Sequence, residues 1–142
     1  MKEKYEDLKN ELIQTLSHFY SHSPIGQLDS ILEGEGSVLL YLYNRKEEVN
    51  PSEISEALGI TKARVTAISN ALFEKEFILF HKNEKDKRKI NLILSPLGEA
   101  MISHRLEVLD KRIISILEDL GMEKTRMLID ILNEIQEIMM KE

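Results

Sequence analysis

A mainly α-helical fold with one small β-hairpin is what these 142 residues predict, and three observations carry it. Apolar residues recur every three or four positions across both ends of the chain, the mark of amphipathic helices. In the middle, Asn50-Pro51-Ser52-Glu53, Gly59 and Thr61 punctuate two short helical segments. Directly after them come two strand-like runs, 77–81 and 90–94, joined by the charged stretch NEKDKRK.

In chain order, Tyr5, Leu8, Leu12, Leu16, Phe19 and Tyr20 predict a first helix over about residues 2–22. Ser23-Pro24 should end it, because proline disfavours the helical conformation in the residue before it. The following segment holds Pro24, Gly26, Gly34 and Gly36 and reads as a loop with at most one short turn. Residues 38–45 are apolar almost all round and read as a short buried helix beginning near Ser37.

Asn50-Pro51-Ser52-Glu53 supplies an N-cap, a proline at the first helical position and a carboxylate at the third. Ile54, Ala57 and Leu58 then face inward, Gly59 provides a left-handed turn, and Thr61 caps the next helix. In that helix Val65, Ile68 and Leu72 share one face. Stepping about 100° per residue puts Ala63, Thr66, Ala67 and Asn70 on the other, with Lys62 and Arg64 on its shoulders. Alternation in Ile90, Leu92 and Leu94 fits a half-buried strand, so the two apolar runs form a hairpin with a charged tip. Ser95-Pro96 launches a long helix whose stripe runs from Ile102 to Leu120, and Gly121 separates it from a last helix marked by Leu128, Leu132, Ile135 and Met139.

Two short helices across a glycine turn, the second polar outside and apolar inside, make a helix-turn-helix. A basic hairpin directly behind it makes the motif winged. The expected organisation is one unit over 1–142: a winged helix-turn-helix core at 37–95, and helical flanks at 1–22 and 96–142. The small core cannot cover the apolar stripes of the flanks, so Leu8, Leu12, Leu16, Leu128, Leu132, Ile135 and Met139 are the expected contacts to a second copy of the chain.

Composition excludes several functions. There is no cysteine, hence no disulfide, thiol nucleophile or thiolate metal site. Hydrophobic residues make up 42% of the chain, enough for a real core. The charged N-terminus does not resemble a signal peptide, and apolar runs such as 38–43 fall far short of the roughly 18 residues a membrane span needs; a cytoplasmic protein is expected. No glycine-rich phosphate loop and no nucleophile elbow is present, so catalysis is not expected. Net charge is −6, but its distribution is uneven. Residues 61–91 hold eight Lys and Arg against four Asp and Glu, or +4, which leaves 11 against 21, or −10, elsewhere. Charges farther apart than about 8 Å are largely screened at physiological salt, so the basic element can act on its own.

Asp86-x-Arg88, followed by Leu92-x-Leu94-Ser95-x-x-Gly98, resembles the wing-and-exit pattern of the MarR family of bacterial transcriptional regulators. Ser55, Leu58, Gly59, Ile60, Val65, Thr66 and Leu72 sit where that family's helix-turn-helix pattern would place them. The resemblance implies a homodimer paired through its first and last helices, acting as a repressor on an inverted-repeat operator, with release by a small molecule a further possibility of the family. It implies that Thr61, Lys62, Ala63, Arg64, Thr66, Ala67 and Asn70 form the helix that reads double-stranded DNA in the major groove. It also implies that Lys85, Asp86, Lys87, Arg88 and Lys89 form the wing, with Arg88 entering the minor groove steadied by Asp86. One departure is Glu76, where the family usually has a glycine leaving the helix in a left-handed turn.

Two other readings compete. The winged element could bind protein instead of DNA, as the acidic balance and Glu74 and Glu76 suggest. His18 and His22, four apart on a helix, with His104 as a third ligand, could make the regulator respond to zinc. Surface histidines are the plainer interpretation, and no cofactor or metal is expected. The effector's residues are not legible.

Overall fold

The computed structural model describes residues 2–23 and 29–141. The chain divides into two compact units, residues 1–106 and 107–142. The first opens with α1 (Lys2–His22), exposed along its described length. Then follow α2 (Asp29–Leu32), α3 (Gly34–Arg45), α4 (Pro51–Leu58), α5 (Lys62–Glu74), β1 (Ile78–Lys82) and β2 (Ile90–Leu94). The boundary falls inside α6 (Pro96–Leu120), and the second unit ends with α7 (Met122–Met139). Among the described residues no helix is long and apolar enough to cross a membrane.

The hydrophobic core of the first unit is built from one to three side chains per element. Val38, Leu39 and Leu42 of α3, Ile54 of α4, Val65 and Leu72 of α5, Ile78 of β1, Leu92 of β2 and Ile102 of α6 are all almost completely buried. Each such aliphatic group contributes roughly 1.5–3 kcal/mol relative to exposure. The hairpin is antiparallel with Ile78 opposite Leu94, Phe80 opposite Leu92 and Lys82 opposite Ile90. Val49 extends it on the other side, exchanging two 2.8 Å backbone hydrogen bonds with Leu92. This one-residue pairing ties the α3–α4 connection to the wing.

In the segment before residue 37, Asp29–Leu32 forms the one short turn that the sequence allowed, but α3 begins at Gly34, three residues before the expected start. Gly34, at φ +55°, adopts the left-handed backbone that turns the chain between the two helices. Gly36 serves close packing: a Cβ there would lie 1.9 Å from the Ser30 carbonyl oxygen. These glycines therefore permit a tight helix junction rather than an open loop. Pro24 and Gly26 lie outside the described residues.

Smaller corrections concern α4 and β1. Ala57 is exposed, while Ile54 is buried and Leu58 half-buried; Ala57 lies about 100° around the helix from Leu58, at the edge of the inward arc. β1 starts at Ile78 rather than Phe77, because Phe77 is still engaged in closing α5.

Candidate nucleic-acid interface

The turn between α4 and α5 is fixed by local hydrogen bonds. Asn50 Oδ1 accepts from the Ser52 N–H at 2.8 Å, and Glu53 Oε2 accepts from the Asn50 N–H at 3.0 Å, which starts α4 with a reciprocal cap. Gly59 closes it at φ +63°. Ser55 Oγ then donates to the Ile60 carbonyl at 2.6 Å, and Thr61 Oγ1 accepts from the Arg64 N–H at 3.2 Å to open α5. Thr61 is thus held as a cap.

Val65, Ser69 and Leu72 of α5 are buried, with the Ser69 hydroxyl satisfied by the Val65 carbonyl at 2.7 Å. Ile68, expected on this inner face, is only half-buried. On the opposite side Lys62, Ala63, Arg64, Thr66, Ala67 and Asn70 are all exposed, the face expected from helical geometry. No ion pair among the described residues engages Lys62 or Arg64. Lys75, at the helix end, is by contrast paired with Glu35 at 2.6 Å.

The α5 exit is left-handed. Glu76 has φ +61°, the Glu76 N–H donates to the Phe73 carbonyl at 2.9 Å and the Phe77 N–H to the Leu72 carbonyl at 3.0 Å. Glutamate thus holds a conformation that favours glycine. Ser95 locks this exit to the start of α6: its Oγ donates to the Glu76 carbonyl at 2.5 Å and accepts from the Gly98 N–H at 2.9 Å. A Cβ on Gly98 would lie 1.9 Å from the Phe77 carbonyl oxygen. The hydroxyl and glycine of the exit pattern are therefore structural.

At the wing tip, Asn83 Oδ1 accepts from the Lys85 N–H at 2.9 Å and the Asp86 N–H at 3.3 Å. Asp86 Oδ1 accepts from the Arg88 N–H at 3.1 Å and lies 3.8 Å from Arg88 Nε. The Arg88 side chain is 96% exposed, so Asp86 both shapes the turn and leans on the guanidinium base while leaving its outer nitrogens free. Lys85, Lys87 and Lys89 are exposed around it. The wing root holds a cluster that the sequence did not reveal: Glu48 reaches His81 Nδ1 at 2.6 Å and accepts from Asn91 Nδ2 at 3.3 Å.

His18 and His22 stack at 4.4 Å between ring centroids, and His22 Nδ1 lies 3.0 Å from the His18 carbonyl oxygen. His104 is exposed on α6. Among the described residues no group of three potential ligands is arranged for a metal ion.

With this geometry in hand, residues 33–90 match the model of the MarR family. That segment, the helix-turn-helix and the wing, carries the MarR pattern. MarR proteins are winged helix-turn-helix transcriptional regulators rather than enzymes, and the mainly helical fold with a two-stranded antiparallel wing agrees. The HTH-type transcriptional repressor YetL of Bacillus subtilis is 24% identical over 89% of this chain and 75% of its own length. The crystal structure of B. subtilis YusO superposes with a TM-score of 0.75 at 21% identity, covering 96% of this chain and 97% of that one. A Staphylococcus aureus MepR variant bound to an oligodeoxyribonucleotide gives 0.65 at 20% identity over 92% and 97%. MepR has also been solved with ethidium bromide.

Proposed function

We propose that this chain is a homodimeric, sequence-specific DNA-binding repressor of the MarR family, acting on an inverted repeat. Residues 37–95 serve as the DNA-binding core and 1–22 and 96–142 as the dimerisation region. The observation that carries the reading is the pairing of two free cationic surfaces: the exposed, unpaired face of α5, and an almost fully exposed Arg88 braced at its base by Asp86.

In this reading α5 lies in the major groove, with Lys62 and Arg64 toward phosphates and Ala63, Thr66, Ala67 and Asn70 toward base edges. Thr61 sets its first turn. Arg88 enters the neighbouring minor groove, where negative potential is concentrated, and Lys85, Lys87 and Lys89 flank it. A dimer presents its two reading helices about 34 Å apart, one turn of duplex, hence the inverted repeat. The DNA complex of MepR supports the choice of partner, and its ethidium complex supports release by a small molecule.

Selection from a random duplex pool with the purified dimer tests the proposal. A palindromic consensus is expected, with affinity falling steeply as salt rises. Equal affinity for all duplexes would turn attention to a protein partner for the winged element.

A further inference from the structure

We infer that Thr66 and Asn70 set the operator preference, Thr66 by contacting a thymine methyl and Asn70 by pairing with an adenine, so that each half-site carries A·T pairs at neighbouring positions. The inference rests on the DNA-binding reading above and specifies the sequence that reading leaves open.

Thr66 is exposed on α5, yet its hydroxyl donates to the Lys62 carbonyl one turn back at 3.0 Å. The hydroxyl proton is thereby engaged, so the side chain offers a base no donor and its methyl becomes the apolar group available to it. Against a methyl, cytosine would bring an N4 amino donor that loses water without gaining an acceptor, whereas thymine brings its own C5-methyl.

Asn70 lies one turn further along the same exposed face, and no hydrogen bond among the described residues engages its amide. One amide donor and one amide acceptor complement adenine N7 and N6–H, while guanine presents two acceptors and matches only half of the pair. Side chains four apart on a helix have Cβ atoms about 5–6 Å apart. Stacked bases are separated by about 3.4 Å. The two residues therefore address base pairs within about two steps of each other.

The test uses the full-length protein and its variants T66S, T66V and N70A, each checked for folding by thermal melting. T66S keeps the hydroxyl and removes the methyl; T66V does the reverse. In the selected duplex each thymine is replaced in turn by deoxyuridine, which lacks only the C5-methyl. At one position per half-site, the replacement should weaken binding of the wild type and T66V about fourfold, and leave T66S unaffected. Within two base pairs, an adenine-to-guanine change should cost the wild type about tenfold and N70A little. The inference is overturned if deoxyuridine is tolerated everywhere, if T66S retains the same penalty, or if N70A still prefers adenine. A pool that yields no consensus overturns the DNA-binding reading and this inference together; a clear consensus insensitive to these changes overturns the assignment to Thr66 and Asn70 alone.

Discussion

The winged core and the terminal helices use similar apolar content in opposite ways. Between α3 and the start of α6, Leu39, Leu42, Ile54, Leu72, Ile78 and Leu92 are shielded almost completely within one subunit. On α1, Leu8, Leu12 and Leu16 are each more than half exposed, and α7 buries no residue at all. Within the second unit, Ile114, Leu117, Met122 and Ile129 line an apolar cleft of about 460 Å³ beside Gly121. The core is complete in one chain, whereas the flanking helices leave apolar stripes in water, the surface that the proposed dimer would cover.

The strongest way to break that contrast is to charge the unpartnered stripe. Leu132 is 56% exposed in the single chain, so Leu132→Asp should leave the folded subunit intact. In a dimer interface the same carboxylate would be buried without a partner, a cost of about 3–5 kcal/mol. Sedimentation equilibrium should then show monomers, and DNA affinity should fall at least about a hundredfold. A variant that remains dimeric would remove Leu132 from the interface.

Inside the core the sharpest lever is Gly98. Gly98→Ala forces a methyl against the Phe77 carbonyl and should cost about 3 kcal/mol in urea unfolding, the upper range for overpacking. Gly59 provides a comparison, since a Cβ there meets nothing within 4 Å but the backbone stands at φ +63°. Gly59→Ala should therefore cost only about 1 kcal/mol, the strain of a left-handed alanine. Equal losses at the two sites would show that the Gly98 contact relaxes.

Next in size is Arg88→Ala. Among the described residues the Arg88 side chain pairs only with Asp86, at 3.8 Å, and is 96% exposed, so melting should be unchanged while DNA binding weakens by about 1–2 kcal/mol and the salt slope falls by about one. A large loss of stability would instead mark Arg88 as part of the fold.

How much of this was legible depended on whether the signal was local. The Asn50–Glu53 cap, Gly59, Thr61 and the outward face of α5 follow from spacing of neighbours, and the structure reproduces them. The Val49–Leu92 pairing, the Glu48–His81–Asn91 cluster and the contact of Gly36 with Ser30 depend on which distant or sharply turned segments meet. Glycine content alone cannot separate an open loop from a close helix junction, which is why the segment before residue 37 read as loop.

Glu76 gives the smallest effect and the cleanest separation of causes. Its left-handed backbone, at φ +61°, costs a side-chain-bearing residue roughly 1–2 kcal/mol, while glycine at that position loses roughly 0.5–1 kcal/mol more backbone entropy on folding. Glu76→Gly should therefore raise unfolding free energy by about 0.5–1 kcal/mol, with the α5 exit and the Ser95 hydrogen bond to residue 76 unchanged. Glu76→Ala removes the same carboxylate but keeps a Cβ, and with it the strain. If both variants are stabilised equally, the carboxylate and not the backbone is what costs the core stability; if only glycine helps, the wing is mounted on a turn whose strain the buried contacts of Leu72, Ile78 and Leu92 offset.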